Sequence, residues 1–181
     1  MDPEQCDFLL GNEPIQIKPK FNEADPFMLI GGEVGPFEAG VPLEVPVWVA
    51  LELRKRQTCT ICQPEWFNLT ELRKIKTAEG DSTGFTKIHE RFFEMAHLLI
   101  TQAKDDLENL DEVRTIVRDI WDTRSSKLKT SVIQYFGSTP ASQAQMDNIT
   151  QFEVAYARGF MTDASNVIRK LSDVTNSLPK H

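Results

Sequence analysis

Leu110-Asp-Glu-Val113-Arg-Thr-Ile-Val117-Arg-Asp-Ile120-Trp-Asp-Thr-Arg124-Ser-Ser-Lys-Leu128 is the run that decides the fold. Leu110, Val113, Val117, Ile120, Leu128 and, further on, Tyr135 recur at multiples of three and four, which places them on one stripe of a long helix. The skipped place in that stripe is Arg124. A guanidinium facing a core needs a carboxylate, because an uncompensated buried charge is strongly destabilising. Its neighbours at three and four residues, Ile120, Trp121, Lys127 and Leu128, include none. The partner is therefore expected from another helix or another subunit, with Asp163 and Asp173 as the candidates within the chain. Gly137-Ser-Thr-Pro140 stops the helix.

Outward from this helix the same periodicity recurs. Upstream, residues 88–103 read as a helix with Phe92, Met95, Ala96 and Leu99 on one face. Asn68-Leu-Thr-Glu71 is a capping-box arrangement that opens a helix through about Glu79, followed by a loop over Gly80–Gly84. Downstream, Thr150-x-x-Glu153 is a second capping box, and Phe160, Met161, Ala164, Val167, Ile168 and Leu171 form the stripe of a last helix to about residue 177. Val45-Pro46-Val47-Trp48 starts a helix with proline in its first turn, closed by Arg54-Lys55-Arg56. Short loops between amphipathic helices make residues 45–181 a helical bundle.

Residues 1–44 differ in kind. Of the chain's 181 residues and net charge of −7, this segment alone carries nine acids and two bases, and the remainder is neutral. Seven of ten prolines and five of nine glycines lie at or before Pro46, so a domain boundary is expected at 44/45. Ile15-Gln-Ile17 and Phe27-Met-Leu-Ile30 have strand character, with Gly31-Gly32 as a hairpin turn, and Cys6–Leu10 is an apolar helical turn. The fold class expected is mainly α: a helical bundle preceded by a small β-rich, acidic domain. That acidity argues against a grip on nucleic acid by the first domain. The acidic start lacks the apolar stretch of a signal peptide, no apolar run approaches the ~20 residues of a membrane span, and three cysteines without disulfide spacing suit a reducing compartment.

The candidate chemical motifs are incomplete. Gly31–Gly40 lacks the Gly-Lys-Ser/Thr of a phosphate loop. Cys59-Thr-Ile-Cys62 has no second ligand pair at zinc spacing and does not open a helix as a redox pair would, so buried structural cysteines are expected. Glu94-x-x-His97 is half of a di-iron bundle motif without its mate. Asn68-Leu-Thr70 and Asn148-Ile-Thr150 fit glycosylation sequons but read better as helix caps. Neither a catalytic constellation nor a cofactor is expected.

Several stretches together resemble one family. Leu29-Ile-Gly-Gly-Glu-Val-Gly-Pro-Phe37, Val45-Pro-Val-Trp48-Val-Ala-Leu, Arg56-Gln-Thr-Cys59 with Pro64-Glu65-Trp66, Glu112-Val-Arg114 through Asp119, Trp121, Arg124 and Lys127, and Met146-Asp-Asn-Ile-Thr150 followed by Glu153 are similar, in order, to the second subunits of the eukaryotic GINS complex. The stretch from Thr77 to His89 matches poorly and is expected to be a variable loop. The resemblance implies a non-catalytic subunit of a heterotetramer with three other GINS subunits. In that setting the complex joins the Mcm hexamer and a Cdc-type partner in the active replicative helicase, contacts the replicative polymerase, and resides in the nucleus. Any DNA contact would be indirect. Trp48, Arg54, Pro64, Glu65, Trp66, Arg114, Asp119, Trp121, Arg124 and Lys127 are the expected interface or structural residues. The other reading of the chain is a small nucleic-acid-binding adaptor using the basic clusters Arg54–Arg56 and Lys127–Lys129.

Overall fold

The computed structural model describes residues 10–137 and 147–177. The element order is β1 (Pro14–Pro19), β2 (Phe27–Leu29), β3 (Gly32–Val34), β4 (Leu43–Pro46), α1 (Val47–Lys55), β5 (Cys59–Ile61), α2 (Leu69–Asp81), α3 (Phe92–Gln102), α4 (Leu110–Gly137) and α5 (Gln151–Ser177), with single 3₁₀ turns at Glu65–Phe67 and Lys104–Asp106. The class is the expected one, mainly helical with a small antiparallel β-rich part first. Of the readings that fall outside the described residues, the helical turn at Cys6–Leu10 is represented by Leu10 alone, and Ser138–Pro140 and the side chain of Tyr135 are not described.

β1 is the middle strand of a three-stranded antiparallel sheet, order β4-β1-β5. Its alternation sends Ile15 and Ile17 into the core and Gln16 and Lys18 to solvent. Val45 pairs with Ile15 on the buried face, so the expected helix start at Val45 is corrected: Val45 and Pro46 belong to a strand, and α1 begins at Val47. Burial of Val45 beside Ile15 outweighs helix continuity, and Pro46 sits at the strand's end, where a missing N–H disturbs least. The 44/45 composition break thus falls inside β4, and the sheet takes its third strand from beyond α1.

The hairpin is also shifted by one residue. β2 and β3 pair Phe27 with Val34 and Leu29 with Gly32, so the turn is Ile30-Gly31, and the positive φ falls on Gly32 (+135°). Facing decides this register: Val34 is buried, and a one-residue slip would turn it to solvent.

The main apolar core runs from the sheet into the helices. Ile15, Ile17, Val45, Ala50 and Ile61 join Phe67, Leu72, Phe92, Leu99, Val113 and Ile120 in it. A second, smaller cluster joins Phe85, Leu128 and Ala157. Phe92, Met95, Ala96 and Leu99 of α3 are all buried, as their spacing predicts, although the helix opens at Phe92 rather than Ile88. His89 is the reason: its carbonyl accepts the Phe92 N–H, its Nδ1 accepts the Arg91 N–H, and its ring stacks on Trp66 at 4.6 Å. α2 runs on to Asp81, so Gly80 and Asp81, expected in a loop, are helical. α5 has the expected start, but Val167 is exposed, Phe160 and Met161 are half-buried, and among the described side chains of the helix the buried ones are Glu153 and Ala157. The side chains of Ala164, Ile168 and Leu171 lie outside the described residues.

Candidate interaction surfaces and the buried charge cluster

Arg124 is fully buried, as its place in the α4 stripe requires. Its partners are Glu79 near the end of α2 and Glu153 in the first turn of α5; of the two expected candidates, Asp163 is exposed and the side chain of Asp173 lies outside the described residues. Nε and Nη2 grip the Glu153 carboxylate as a fork at 2.7 and 2.8 Å. Nη1 donates to Glu79 Oε2 and to the Thr86 carbonyl, both at 2.9 Å, and Nη2 also donates to the Asn148 carbonyl at 2.8 Å. A guanidinium has five N–H groups, and each has an acceptor. The cation also lies 5.2 Å from the Phe85 ring centre.

One helical turn on, Lys127 directs its ammonium to the Glu79 carboxylate at 2.7 Å, to the Glu79 carbonyl and to the Gly84 carbonyl. Two cations and two carboxylates neutralise one another. Burial disfavours the charge on Glu79, but hydrogen bonds from Lys127 and the Thr86 amide, with the Arg124 charge, hold its carboxyl below its ordinary value. Burial likewise opposes the Arg124 charge and is outweighed by Glu153 and Glu79, which raise its pKa. Glu153 doubles as the capping residue of α5, accepting from the Thr150 N–H at 2.9 Å while Thr150 Oγ1 accepts from the Glu153 N–H. The cluster ties α2, residues 84–86, α4 and the start of α5 together.

A second polar junction is built on Arg54 and Asp106. Asp106 accepts from Arg54 Nε at 2.8 Å and from the Ile61 N–H at 3.0 Å, and Asp105 takes Arg54 Nη2 at 3.1 Å. Partial burial disfavours the Arg54 charge, and the two aspartates more than compensate, raising its pKa. Arg56 folds back on Glu52. Both clusters offered to nucleic acid therefore have their key cation, Arg54 or Lys127, committed to carboxylates. Cys59 is buried and donates to the Ala50 carbonyl, while Cys62 is half-buried. Burial, with the Asp106 charge nearby, pushes the Cys59 thiol up to about 11.

The remaining expected residues are dispersed. Trp66 packs among Phe67, His89 and Phe92, while Pro64 precedes the 3₁₀ turn and the exposed Glu65 lends its carbonyl to Asn68. Asp119 pairs with Lys76 of α2 at 2.6 Å, and Arg114 pairs loosely with Asp111, one turn earlier on α4, at 3.6 Å. Trp121 meets Phe93, Phe152 and Tyr156 edge-on at 5.0, 5.6 and 5.1 Å. Tyr156 is 40% exposed, and a cleft of ≈580 Å³ opens beside this row, floored by Phe93, Val117, Trp121 and Phe152 and rimmed by Arg114 and Arg118. Trp48 lies apart from all of these, exposed beside the β2–β3 hairpin.

Sequence reasoning missed Glu79 and Asp106. Glu79 had a signal: Leu72, Ile75 and Glu79 follow one another at helical steps, so a carboxylate stood on the core face of α2. Asp106 sits in a short 3₁₀ turn with no periodicity to expose it. The stretch from Thr77 to His89, expected to be a variable loop, supplies Glu79, Gly84, Phe85 and Thr86 to the buried cluster.

Two family models match the chain in order: the PSF2 N-terminal domain over residues 2–62 and the GINS complex protein helical bundle domain over residues 66–172. Among similar proteins is one named "Probable DNA replication complex GINS protein PSF2" from Brugia malayi, 45% identical over 172 residues, covering 95% of this chain and 90% of the relative. The "DNA replication complex GINS protein PSF2" of Homo sapiens is 38% identical over 172 residues, covering 94% and 92%. The Caenorhabditis elegans relative, again named a probable GINS protein PSF2, is 38% identical over 158 residues, covering 87% and 88%. With its small sheet and α1 under the first family model and α2 to α5 under the second, the chain belongs to the PSF2 family of GINS proteins.

Proposed function

We propose that this chain is a non-catalytic subunit of a heterotetrameric GINS complex, assembled with three other GINS subunits. In this reading the complex acts in the nucleus, in initiation and elongation of DNA replication, where it is needed to assemble and activate the replicative helicase with the Mcm hexamer and a Cdc-type partner and to meet the replicative polymerase. The observation that carries the reading is the in-order match to both domains of relatives named as DNA replication complex proteins. The half-exposed aromatic row of Trp121, Phe152 and Tyr156 supports it, since aromatic residues of this kind are enriched in the centres of protein interfaces. The commitment of Arg54 and Lys127 to carboxylates favours this over a nucleic-acid adaptor.

Co-expression with the three other GINS subunits tests it. A particle with one copy of each chain is expected by light scattering, and Tyr156→Asp is expected to lower its yield while leaving helix content unchanged. A monodisperse monomer that ignores the other three chains would overturn the proposal.

A further inference from the structure

The β2–β3 hairpin and α1 leave an apolar cleft that assembly of the helical bundle does not explain. Met28 is 74% exposed, Ile30 at the hairpin turn is fully exposed, and Trp48 is 46% exposed. They line a cleft of ≈870 Å³ with Pro14 and Pro46 beneath. Among the described residues the charged ones lining it are Glu33 and Glu44, with no lysine or arginine. Most of its lining comes from residues 1–44, a segment that holds nine acids against two bases.

We infer that this cleft is a docking site for a basic, apolar segment of a partner protein, one whose aliphatic or aromatic side chains enter between the hairpin and Trp48 while its lysines or arginines meet Glu33 and Glu44. Charge complementarity selects this occupant over the others. Residues 1–9 of the chain itself carry three acids and no base, so the acidic rim repels them. A second copy would bring the same acidic rim to its own counterpart. Nucleic acid and anionic lipid surfaces bring negative charge as well. An apolar centre supplies affinity, and a single-sign rim supplies orientation and on-rate. The proposal rests on the heterotetramer only for the sample in which it is tested.

The probe is a short fluorescent peptide alternating lysine with valine and phenylalanine, paired with a counterpart bearing glutamate for lysine. Both are titrated by anisotropy against the reconstituted heterotetramer, whose assembly is checked separately by light scattering. The lysine peptide is expected to bind, more weakly as salt rises, and the glutamate peptide not to bind. Glu33→Lys with Glu44→Lys is expected to weaken the lysine peptide on the order of tenfold and to admit the glutamate peptide. Ile30→Asp, at an exposed turn where folding is not at stake, is expected to abolish binding of the lysine peptide. Equal binding of both peptides, or variants without effect, would overturn the proposal. So would protection of Met28 and Trp48 from hydroxyl-radical oxidation when the other three subunits are added, which would make the cleft a subunit contact. Increased oxidation on deleting residues 1–9 would make its occupant the chain's own N-terminus and would overturn the proposal too.

Discussion

Every N–H of Arg124 has an acceptor, and the two carboxylates it holds come from helices on either side of its own. Removing one member of such a group strands the others in the core, at a cost of about 3–5 kcal/mol. Arg124→Ala is therefore expected to lower the urea midpoint of the assembled protein severely. Arg124→Lys should rescue poorly, since an ammonium cannot reproduce the fork to Glu153 together with the bonds to Glu79, Thr86 and Asn148. Lys129→Ala, two residues beyond Lys127 but exposed, should stay within about 0.5 kcal/mol of the parent. Glu79 adds a pH dependence. Its carboxyl is held below the ordinary value of 4.5, so in the folded chain it stays ionised where the unfolded chain is already taking up a proton. The stability it contributes is present above pH 4.5 and is lost as pH falls through the lower folded value. In acid titrations followed by circular dichroism, Glu79→Gln is expected to be less stable near neutral pH, with a shallower loss below pH 4.5.

At the scale of the element, the two capping signatures differ in what they hold. Asn68 Oδ1 accepts the Glu71 N–H at 2.8 Å, but the Glu71 side chain turns to Lys74 instead of closing the box. Asn68→Ala should then cost about 1 kcal/mol and Asn68→Gly only a few tenths, as for an ordinary exposed cap. Thr150 closes its box fully, and its hydroxyl also donates to Glu153 Oε2 at 2.9 Å. Thr150→Ala therefore removes a cap and a hydrogen bond to a buried carboxylate, and its loss should exceed that of Asn68→Ala by about 1 kcal/mol or more. Equal losses in the two variants, measured by urea unfolding, would mean that the α5 cap is not coupled to the charge cluster.

For the whole molecule, the continuous core and Asp106 join the sheet to the bundle. Asp106 accepts the Ile61 N–H of β5 and also anchors Arg54 of α1. Asp106→Ala is expected to cost about 2–3 kcal/mol by stranding these donors, and to do so in one transition, with tryptophan fluorescence and far-ultraviolet dichroism coincident. Two separated transitions would show that sheet and helices unfold independently. Because β1 lies between β4 and β5, a chain starting at residue 45 should also lose hydrogen-exchange protection at Cys59–Ile61, although those residues are retained.

Local regularity made much of this molecule legible from its sequence. The α3 face, the α4 stripe with Arg124 inside it, the Asn68 and Thr150 caps, and the alternation of β1 each depend on periods of 3.6 or 2 and on side chains reaching backbone three residues away. Those relations are local, so sequence alone determined them, along with the mainly α class. What only the tertiary structure decided are choices between long-range partners. Val45 became strand because Ile15 lay beside it, the hairpin register followed the burial of Val34, and Arg124 took Glu79 and Glu153, 45 and 29 residues away, where Asp163 stays exposed. Several carboxylates stood at plausible helical positions, and sequence spacing does not rank them. The crossing of α2, α4 and α5 does, because a buried guanidinium is stable only where the packed helices bring enough acceptors to meet all five of its donors.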